Sequence, residues 1–148
     1  MSQSLSNLLY HVVFSTKNRI NLIQPEFENE LYPYICGIVR GQKGEVLEIG
    51  GTMNHVHLIA LFHPSVSMSD MMRYIKGGSS KWIHEKGASM FQWQRGYGVF
   101  SVSESLAEQV DRYIKNQKSH HEKYSYEKEF LLLLEKHKVK YDDKYIWD

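Results

Sequence analysis

The sequence has little of what marks a secreted or membrane protein. Cys36 is the single cysteine, so an intrachain disulfide is excluded and a reducing compartment fits the chain. No stretch approaches the roughly 20 apolar residues that a membrane-spanning helix needs. Met1 to Asn7 carries no cationic region followed by a long apolar core, as a signal peptide would. We therefore expect a cytoplasmic protein with no membrane partner.

Net charge is also nearly absent, because 18 lysines and arginines against 17 acids leave a formal charge of +1. This balance gives no overall signal for nucleic acid. The charge is nevertheless uneven, since residues 71–100 carry five basic side chains and one acid. Four of the basic residues are candidate phosphate contacts, namely Arg73, Lys76, Lys81 and Arg95. A solvated helix face would give the same pattern, so the segment needs support from other features.

The sequence shows no internal repeat, linker or low-complexity segment. A hydrophobic content of 42% is enough for a core in a chain of 148 residues, which suits one compact domain over residues 1–148. Residues 122–148 differ from the rest, because six lysines and seven acids crowd into them.

Two histidines begin the apolar run from Gly51 to Phe62. Alternate side chains of a strand share a face, so His55 and His57 project side by side while Val56 turns to the opposite layer. Two imidazoles placed in this way can contact one divalent cation. A His-x-His pair alone is weak evidence, because short motifs recur freely in half-buried strands.

Hydrophobic periodicity predicts the order strand, helix, strand, strand, helix, strand. The elements are a strand over 8–15, a helix from Pro25 to Gly41 or Gly44, a strand over 45–50, the histidine strand, a helix capped by Ser67 or Ser69, and a long strand over 91–102. Gly77-Gly78 interrupts the second helix, which predicts either a bend there or the close approach of another backbone, such as that of a nucleotide. This order is typical of a ferredoxin-like split βαβ sandwich of the α+β class, an antiparallel sheet with helices on one face. The histidine strand is apolar on both faces and is expected in the middle of the sheet. If its imidazoles point away from the two helices, the site is open to a ligand.

A third helix is predicted from Ser105, with a capping box closed by Glu108. Tyr113 and Gln117 then stand one turn apart on the same face. Most tyrosines on such a stripe simply pack, but a glutamine on a packing face requires a polar partner. A further short helix over 130–134 is expected to dock on the body.

Two imidazoles and one amide oxygen would form a metal site with open positions, suited to polarising a phosphoryl or carbonyl oxygen. A tyrosine beside that cation would be an activated nucleophile, helped by the positive charge of Lys115. Its attack on a phosphodiester would give a covalent phosphotyrosine. Trp82, Trp93 and Tyr97 lie among basic residues, a composition that suits single-stranded DNA.

The chain resembles the single-tyrosine HUH transposases of the insertion-sequence type and their repeat-associated tyrosine transposase relatives. The resemblance rests on Asn54-His55-Val56-His57-Leu58, on Trp93 to Ser101, on Tyr113 to His121 and on the opening Tyr10 to Lys17. It covers a core of about residues 8–121, and the charged tail over 122–148 has no counterpart. The resemblance implies that His55, His57 and Gln117 bind Mg²⁺ or Mn²⁺ and that Tyr113 forms a 5′-phosphotyrosyl bond. Ligand softness alone would favour Mn²⁺ or Zn²⁺.

The resemblance also implies a partner and an assembly. The partner is single-stranded DNA, folded as a hairpin at the ends of an element or repeat. The assembly is a homodimer in which the C-terminal tyrosine-bearing helix of one subunit serves the histidines of the other. Two alternatives stay open: a hairpin-binding regulatory protein without strand transfer, and a small-ligand or metal-binding module of the same fold.

Overall fold

The computed structural model describes residues 2–148, which contain four strands in one antiparallel sheet. The strands are β1 (Leu9–Ser15), β2 (Glu45–Thr52), β3 (His55–Leu61) and β4 (Gly98–Ser101), in the order β2-β3-β1-β4. Helices α1 (Pro25–Gly41) and α2 (Met68–Glu85) connect β1 to β2 and β3 to β4. The prediction of a ferredoxin-like α+β fold is therefore confirmed.

The histidine strand β3 is central, as its apolar pattern predicts. It pairs with β1 on one side and with β2 on the other, and His57 lies between Val13 and Gly50. Val56 and Leu58 point to the face that α1 and α2 cover, where they join the main hydrophobic core. His55 and His57 consequently point to the other face.

Helix α2 begins at the predicted cap, since the Asp70 N–H donates to Ser67 Oγ at 3.1 Å. The expected interruption at Gly77-Gly78 is wrong, because α2 runs unbroken from Met68 to Glu85. A side chain at Gly78 would place its Cβ 3.0 Å from Ile38 Cδ1 of α1. The glycine therefore allows close packing of the two helices, which compensates for its poor helix propensity.

Strand β4 is shorter than the predicted strand over 91–102. Trp93 makes one isolated bridge to Thr16, and regular pairing begins only at Gly98. Between them, the Ser15 N–H donates to the side-chain Oε1 of Gln94 at 2.7 Å. A side-chain amide thus takes the place of a backbone carbonyl, and the chain leaves the sheet for several residues.

Three helices cover the second face of the sheet: α3 (Ala107–Lys115), α4 (Gln117–His120) and α5 (Tyr126–Lys136). The predicted capping box at Ser105 is wrong. A 3-10 turn over Glu104–Leu106 precedes α3, and Ser105 Oγ lies 3.0 Å from Ser103 Oγ. The predicted helix over 130–134 is confirmed as the longer α5.

The docking of α5 closes the histidine face. Phe130 and Leu134 of α5 pack with Val13 and Phe100 of the sheet. The expectation of an open site is wrong, because the side chains of β3 that face away from α1 and α2 are covered by α3 and α5. Among residues 2–148, no helix combines the length and the apolarity that a membrane span would need.

Candidate metal centre and tyrosine site

Both histidines of β3 are fully buried, with 0% of their surface exposed. Each ring is held through Nδ1: His55 Nδ1 lies 2.8 Å from Asn54 Oδ1, and His57 Nδ1 lies 2.8 Å from His11 Nε2. The two Nε2 atoms therefore point into the space between the sheet and α5. In metal sites, a hydrogen-bond partner at the ring nitrogen that does not bind the metal orients the imidazole in the same way.

The Glu129 carboxylate of α5 occupies that space. Its Oε1 lies 2.8 Å from His57 Nε2, 3.0 Å from His121 Nε2 and 3.4 Å from His55 Nε2. Its Oε2 accepts hydrogen bonds from the Tyr113 hydroxyl and, at 2.9 Å, from Gln117 Nε2. His120 Nε2 also lies 3.3 Å from Oε2, so one carboxylate links four histidines, the tyrosine and the glutamine.

Sequence reasoning missed Glu129 and gave His121 no role of its own. A signal for Glu129 was present, because Tyr126, Glu129 and Phe130 share the three- and four-residue spacing of one helix face. All three are buried. An acid on the buried stripe of an amphipathic helix requires a partner, as Gln117 does.

Burial alone would raise the pKa of the Glu129 carboxyl, but contacts with His121 and His57 outweigh it and hold that pKa well below its usual range. Burial lowers the pKa of His55 well below its ordinary value, and His57 lowers it further. The same two causes lower the pKa of His11. The site therefore favours an ionised Glu129 carboxylate, and burial favours the neutral form of His55 and His11.

The hydroxyl of Tyr113 is not activated by lysine in this structure. Lys115 Nζ binds Asp111 at 2.9 Å and Glu48 at 3.6 Å, so its expected help to the tyrosine is wrong. Burial and the neighbouring Glu129 carboxylate raise the pKa of Tyr113. In the absence of a bound cation these surroundings favour the protonated phenol, so its reaction calls for a proton acceptor.

The structure brings together the four residues that the sequence singled out. His55 Nε2 lies 2.9 Å from Gln117 Oε1, and the rings of His57 and Tyr113 lie 5.6 Å apart between centroids. All four belong to one chain. The donor atoms of His55, His57, His121 and Glu129 also lie within 4.8 Å of one another and could hold a metal ion.

The four candidate DNA-binding residues have different surroundings. Lys76 Nζ donates to the carbonyls of Gln94, Arg95 and Gly96, and burial lowers its pKa to about 8. Arg73 pairs with Asp70 at 3.1 Å and stays largely exposed. Lys81 and Arg95 are exposed. Lys76 thus holds the loop that carries Arg95.

A cavity of about 760 Å³ lies beside this loop, lined in part by Lys17, Lys76, His84 and Arg95. None of its lining residues belongs to the histidine and glutamate cluster. We call this cavity the basic groove. It and the buried candidate metal centre are therefore separate features of the described residues.

The aromatic residues near this groove are mostly packed. Trp82 stacks on Tyr34 at 4.6 Å, and Trp93 donates from Nε1 to Ser79 Oγ at 3.0 Å. Tyr97 is 37% exposed. Of the three aromatic residues predicted to stack on bases, only Tyr97 has a substantial free surface.

Two smaller cavities flank the metal centre. One of about 440 Å³ is lined by residues that include Asn54, Lys118 and His121. Another of about 380 Å³ is lined by residues that include His11 and Tyr113. His121 and Tyr113 are thus the members of the site that border a cavity, whereas His55, His57, Gln117 and Glu129 line neither one.

Comparisons with known proteins identify transposases as relatives of this chain. The sequence model of the family described as "Transposase IS200 like" matches residues 4–117. The transposase for insertion sequence element IS200 of Salmonella typhimurium is 30% identical over 118 residues, which are 75% of this chain and 77% of that protein. The ISDra2 transposase TnpA of Deinococcus radiodurans is 26% identical over 117 residues, which are 74% of this chain and 84% of that protein.

Solved structures show the same fold. A crystal structure described as a transposase from Deinococcus radiodurans superposes with a TM-score of 0.64 at 24% identity, covering 79% of this chain and 98% of that one. A REP-associated tyrosine transposase bound to a REP hairpin superposes with a TM-score of 0.63 at 17% identity, covering 82% of this chain and 74% of that one. Because the family match spans most of the sequence and includes His55, His57, Tyr113 and Gln117, this chain belongs to the IS200-like transposase family.

Proposed function

We propose that this transposase cleaves and rejoins single-stranded DNA through a 5′-phosphotyrosine at Tyr113, with a divalent metal ion bound by His55, His57 and Gln117. The observation that carries the proposal is the convergence of these four side chains on the Glu129 carboxylate. We also propose that residues 1–148 act as one transposase domain, since the tail over 122–148 supplies Glu129 to the site.

The donor set fits a divalent cation. His55 Nε2 and Gln117 Oε1 lie 2.9 Å apart, close to the roughly 3.0–3.4 Å between neighbouring ligands when each bond is about 2.1 Å long. A cation bound there would polarise the phosphodiester and stabilise the charge that develops on it. Family membership supports Mg²⁺ or Mn²⁺ as that cation.

The chain's own residues supply the nucleophile and a proton acceptor. The Tyr113 oxygen attacks the phosphorus, a tyrosyl O–P bond forms, and the bond from phosphorus to the 3′ oxygen breaks. The phenolic proton passes to Glu129 Oε2, which already accepts a hydrogen bond from it, and is returned to the leaving 3′ oxygen. The free 3′-hydroxyl and the 5′-phosphotyrosine conserve a bond for rejoining.

This proposal is tested by incubating the protein with labelled single-stranded hairpin DNA and Mn²⁺. A covalent protein–DNA adduct is the expected result. Tight binding of the hairpin without an adduct would favour the alternative of a regulatory DNA-binding protein. The choice of a hairpin as substrate is supported by the structural neighbour that is bound to one.

Arg73, Lys76, Lys81 and Arg95 are proposed to contact DNA phosphates. Replacing all four by glutamine should flatten the dependence of hairpin affinity on salt, by about 0.7 in the logarithmic slope for each phosphate that the protein no longer neutralises. Fluorescence anisotropy measures this slope. The titrations cover about 50 to 200 mM salt, a range over which the affinity of phosphate-binding proteins for DNA falls steeply. Lys76→Gln alone should also lower thermal stability, because three carbonyls lose their donor.

The matched control removes four exposed lysines from the tail, Lys123, Lys138, Lys140 and Lys144. That variant loses the same charge and should keep most of the slope. An equal slope in wild type and in the variant that lacks Arg73, Lys76, Lys81 and Arg95 would mean that residues 71–100 form only a solvated face.

We further propose an active homodimer in which Tyr113 of one subunit serves the histidines of the other. Family resemblance supports this arrangement, whereas the bond from Tyr113 to Glu129 within one chain supports the alternative of a self-contained site. Co-expression of a His57→Ala chain with a Tyr113→Phe chain separates the two. A shared site should restore cleavage to about half that of a wild-type dimer, by two-fold symmetry. Heterodimers that form but stay inactive would rule out sharing.

A further inference from the structure

Hydrogen bonds fix which nitrogen of two site histidines carries a proton. Asn54 Nδ2 donates to the Arg19 carbonyl at 3.3 Å, so its Oδ1 is the atom that faces His55 Nδ1 at 2.8 Å. His121 Nδ1 lies 2.7 Å from the Tyr124 carbonyl oxygen. Both partners are acceptors, so both rings are protonated at Nδ1 and, when neutral, present a lone pair at Nε2.

These lone pairs face oxygen atoms. Gln117 Nε2 donates to Glu129 Oε2, which turns Gln117 Oε1 toward His55 Nε2 at 2.9 Å. His121 Nε2 faces Glu129 Oε1 at 3.0 Å. Acceptors that face each other in a buried site repel unless a positive charge lies between them. The cluster therefore has the donor arrangement of a cation-binding site.

The spacing of the donor atoms fits one metal ion. The distances from Glu129 Oε1 to the Nε2 atoms of His57, His121 and His55 are 2.8, 3.0 and 3.4 Å. Neighbouring ligands with bonds of about 2.1 Å are separated by about 3.0–3.4 Å, and opposite ligands by about 4.2 Å. One ligand atom from each of these four residues lies within 4.8 Å of the others, so a small inward shift brings all of them to bonding distance of one ion.

Helix α5 holds Glu129 in place for this role. Ser125 caps the helix, accepting the Lys128 N–H at 3.2 Å. Tyr126 and Phe130, on either side of Glu129, are buried against the sheet. Helix α5 therefore directs the carboxylate inward, toward the histidines.

We propose that Glu129 Oε1 and His121 Nε2 are metal ligands, so that a segment beyond the family match at residues 4–117 completes the metal site. This inference rests on the proposed function for the other ligands, His55, His57 and Gln117. Three imidazoles with one carboxylate and one amide oxygen form a set that favours Mn²⁺ or another transition-metal dication over Mg²⁺. The ionised carboxylate also offsets part of the charge of a buried dication.

The test measures Mn²⁺ affinity of the full-length protein by isothermal titration calorimetry. Glu129→Gln and His121→Gln should each weaken binding about tenfold or more, since even outer partners of metal ligands are worth 10–100-fold in affinity. Two control variants, Glu135→Gln on α5 and His63→Gln in a loop, change exposed residues and should bind as the wild type does.

A second readout guards against misfolding. Mn²⁺ should raise the melting temperature of the wild type and of both controls, and should raise it less for Glu129→Gln and His121→Gln, because ligand binding stabilises the folded state. His121→Gln probes the same centre without changing α5. Wild-type affinity in both variants, tighter binding by Glu129→Gln, or a wild type that binds no Mn²⁺ would each overturn the inference.

Failure here is distinguishable from failure of the proposed function. A covalent adduct at Tyr113 combined with unchanged Mn²⁺ affinity in both variants would leave strand transfer standing and remove Glu129 and His121 from the ligand set. Metal binding that depends on both residues, with no adduct on any hairpin, would support the metal site and reject strand transfer.

Discussion

Tyr113→Phe is expected to abolish the covalent protein–DNA adduct while leaving the fold and hairpin affinity close to those of the wild type. The substitution removes the attacking oxygen and keeps the ring that packs near His11 and His57. A 5′-phosphotyrosine retains the downstream DNA fragment, so an oligonucleotide labelled at its 3′ end should shift the protein on a denaturing gel only when Tyr113 is intact.

Tyr124→Phe is the matched control, because Tyr124 is 38% exposed and lies outside the cluster around Glu129. It should form as much adduct as the wild type. An adduct that persists in Tyr113→Phe and disappears in Tyr124→Phe would reassign the nucleophile.

His55→Ala and His57→Ala should each remove metal-dependent cleavage, and Gln117→Ala should weaken it, because each loses a ligand from a site that has few. A loss of at least about 100-fold in cleavage rate is expected for either histidine, on the scale of removing a main electrostatic contributor to a transition state. Single-turnover cleavage over a range of Mn²⁺ concentrations measures the effect and shows whether excess metal rescues Gln117→Ala.

Both histidines are fully buried, so alanine also leaves a cavity. His55→Gln and His57→Gln fill more of that space, and thermal melts compare their folding with that of the wild type. Cleavage and Mn²⁺ affinity that stay at wild-type levels in the folded histidine and Gln117 variants would reject the metal site.

The parts of the fold that depend on local pattern could be read from the sequence. The alternation around His55 and His57 correctly predicts that both side chains share a face, and the apolar content of β3 correctly predicts a central strand. The four-residue spacing of Tyr113 and Gln117 likewise predicts that they lie close together, and both contact Glu129. The first two features follow from one strand, whereas the predicted single helix breaks at Asn116 and leaves Tyr113 on α3 and Gln117 on α4.

The features that were missed depend on contacts between distant segments. Strand β4 is shorter than predicted because the Gln94 side chain takes the place of a backbone partner of Ser15. Strand propensities describe single residues and cannot predict such a contact. From the sequence alone, Gly78 predicts an interruption of the helix. Its role in close packing becomes visible only from the position of Ile38 of α1. Lys115 is turned away from Tyr113 by Asp111 and by Glu48 of β2.

The largest omission is Glu129, which lies 72 residues after His57 in sequence and 2.8 Å from it in the structure. Its place in the site depends on the docking of α5 through Phe130 and Leu134. A short docking helix over 130–134 is predicted from the sequence, but the charged composition of residues 122–148 conceals the role of Glu129, because the acids and lysines there resemble a solvated tail. Within residues 122–148, only the helical spacing of the buried residues Tyr126, Glu129, Phe130 and Leu134 distinguishes α5 from a solvated segment.

The most direct test of the account is to map the covalent adduct on the wild-type protein. The protein is incubated with a 3′-labelled single-stranded hairpin and Mn²⁺, digested, and analysed by peptide mass spectrometry. The account predicts one modified peptide that carries a 5′-phosphorylated DNA fragment on Tyr113, together with release of a free 3′-hydroxyl. A modified residue other than Tyr113, or cleavage that leaves no covalent adduct at any time point, would contradict it.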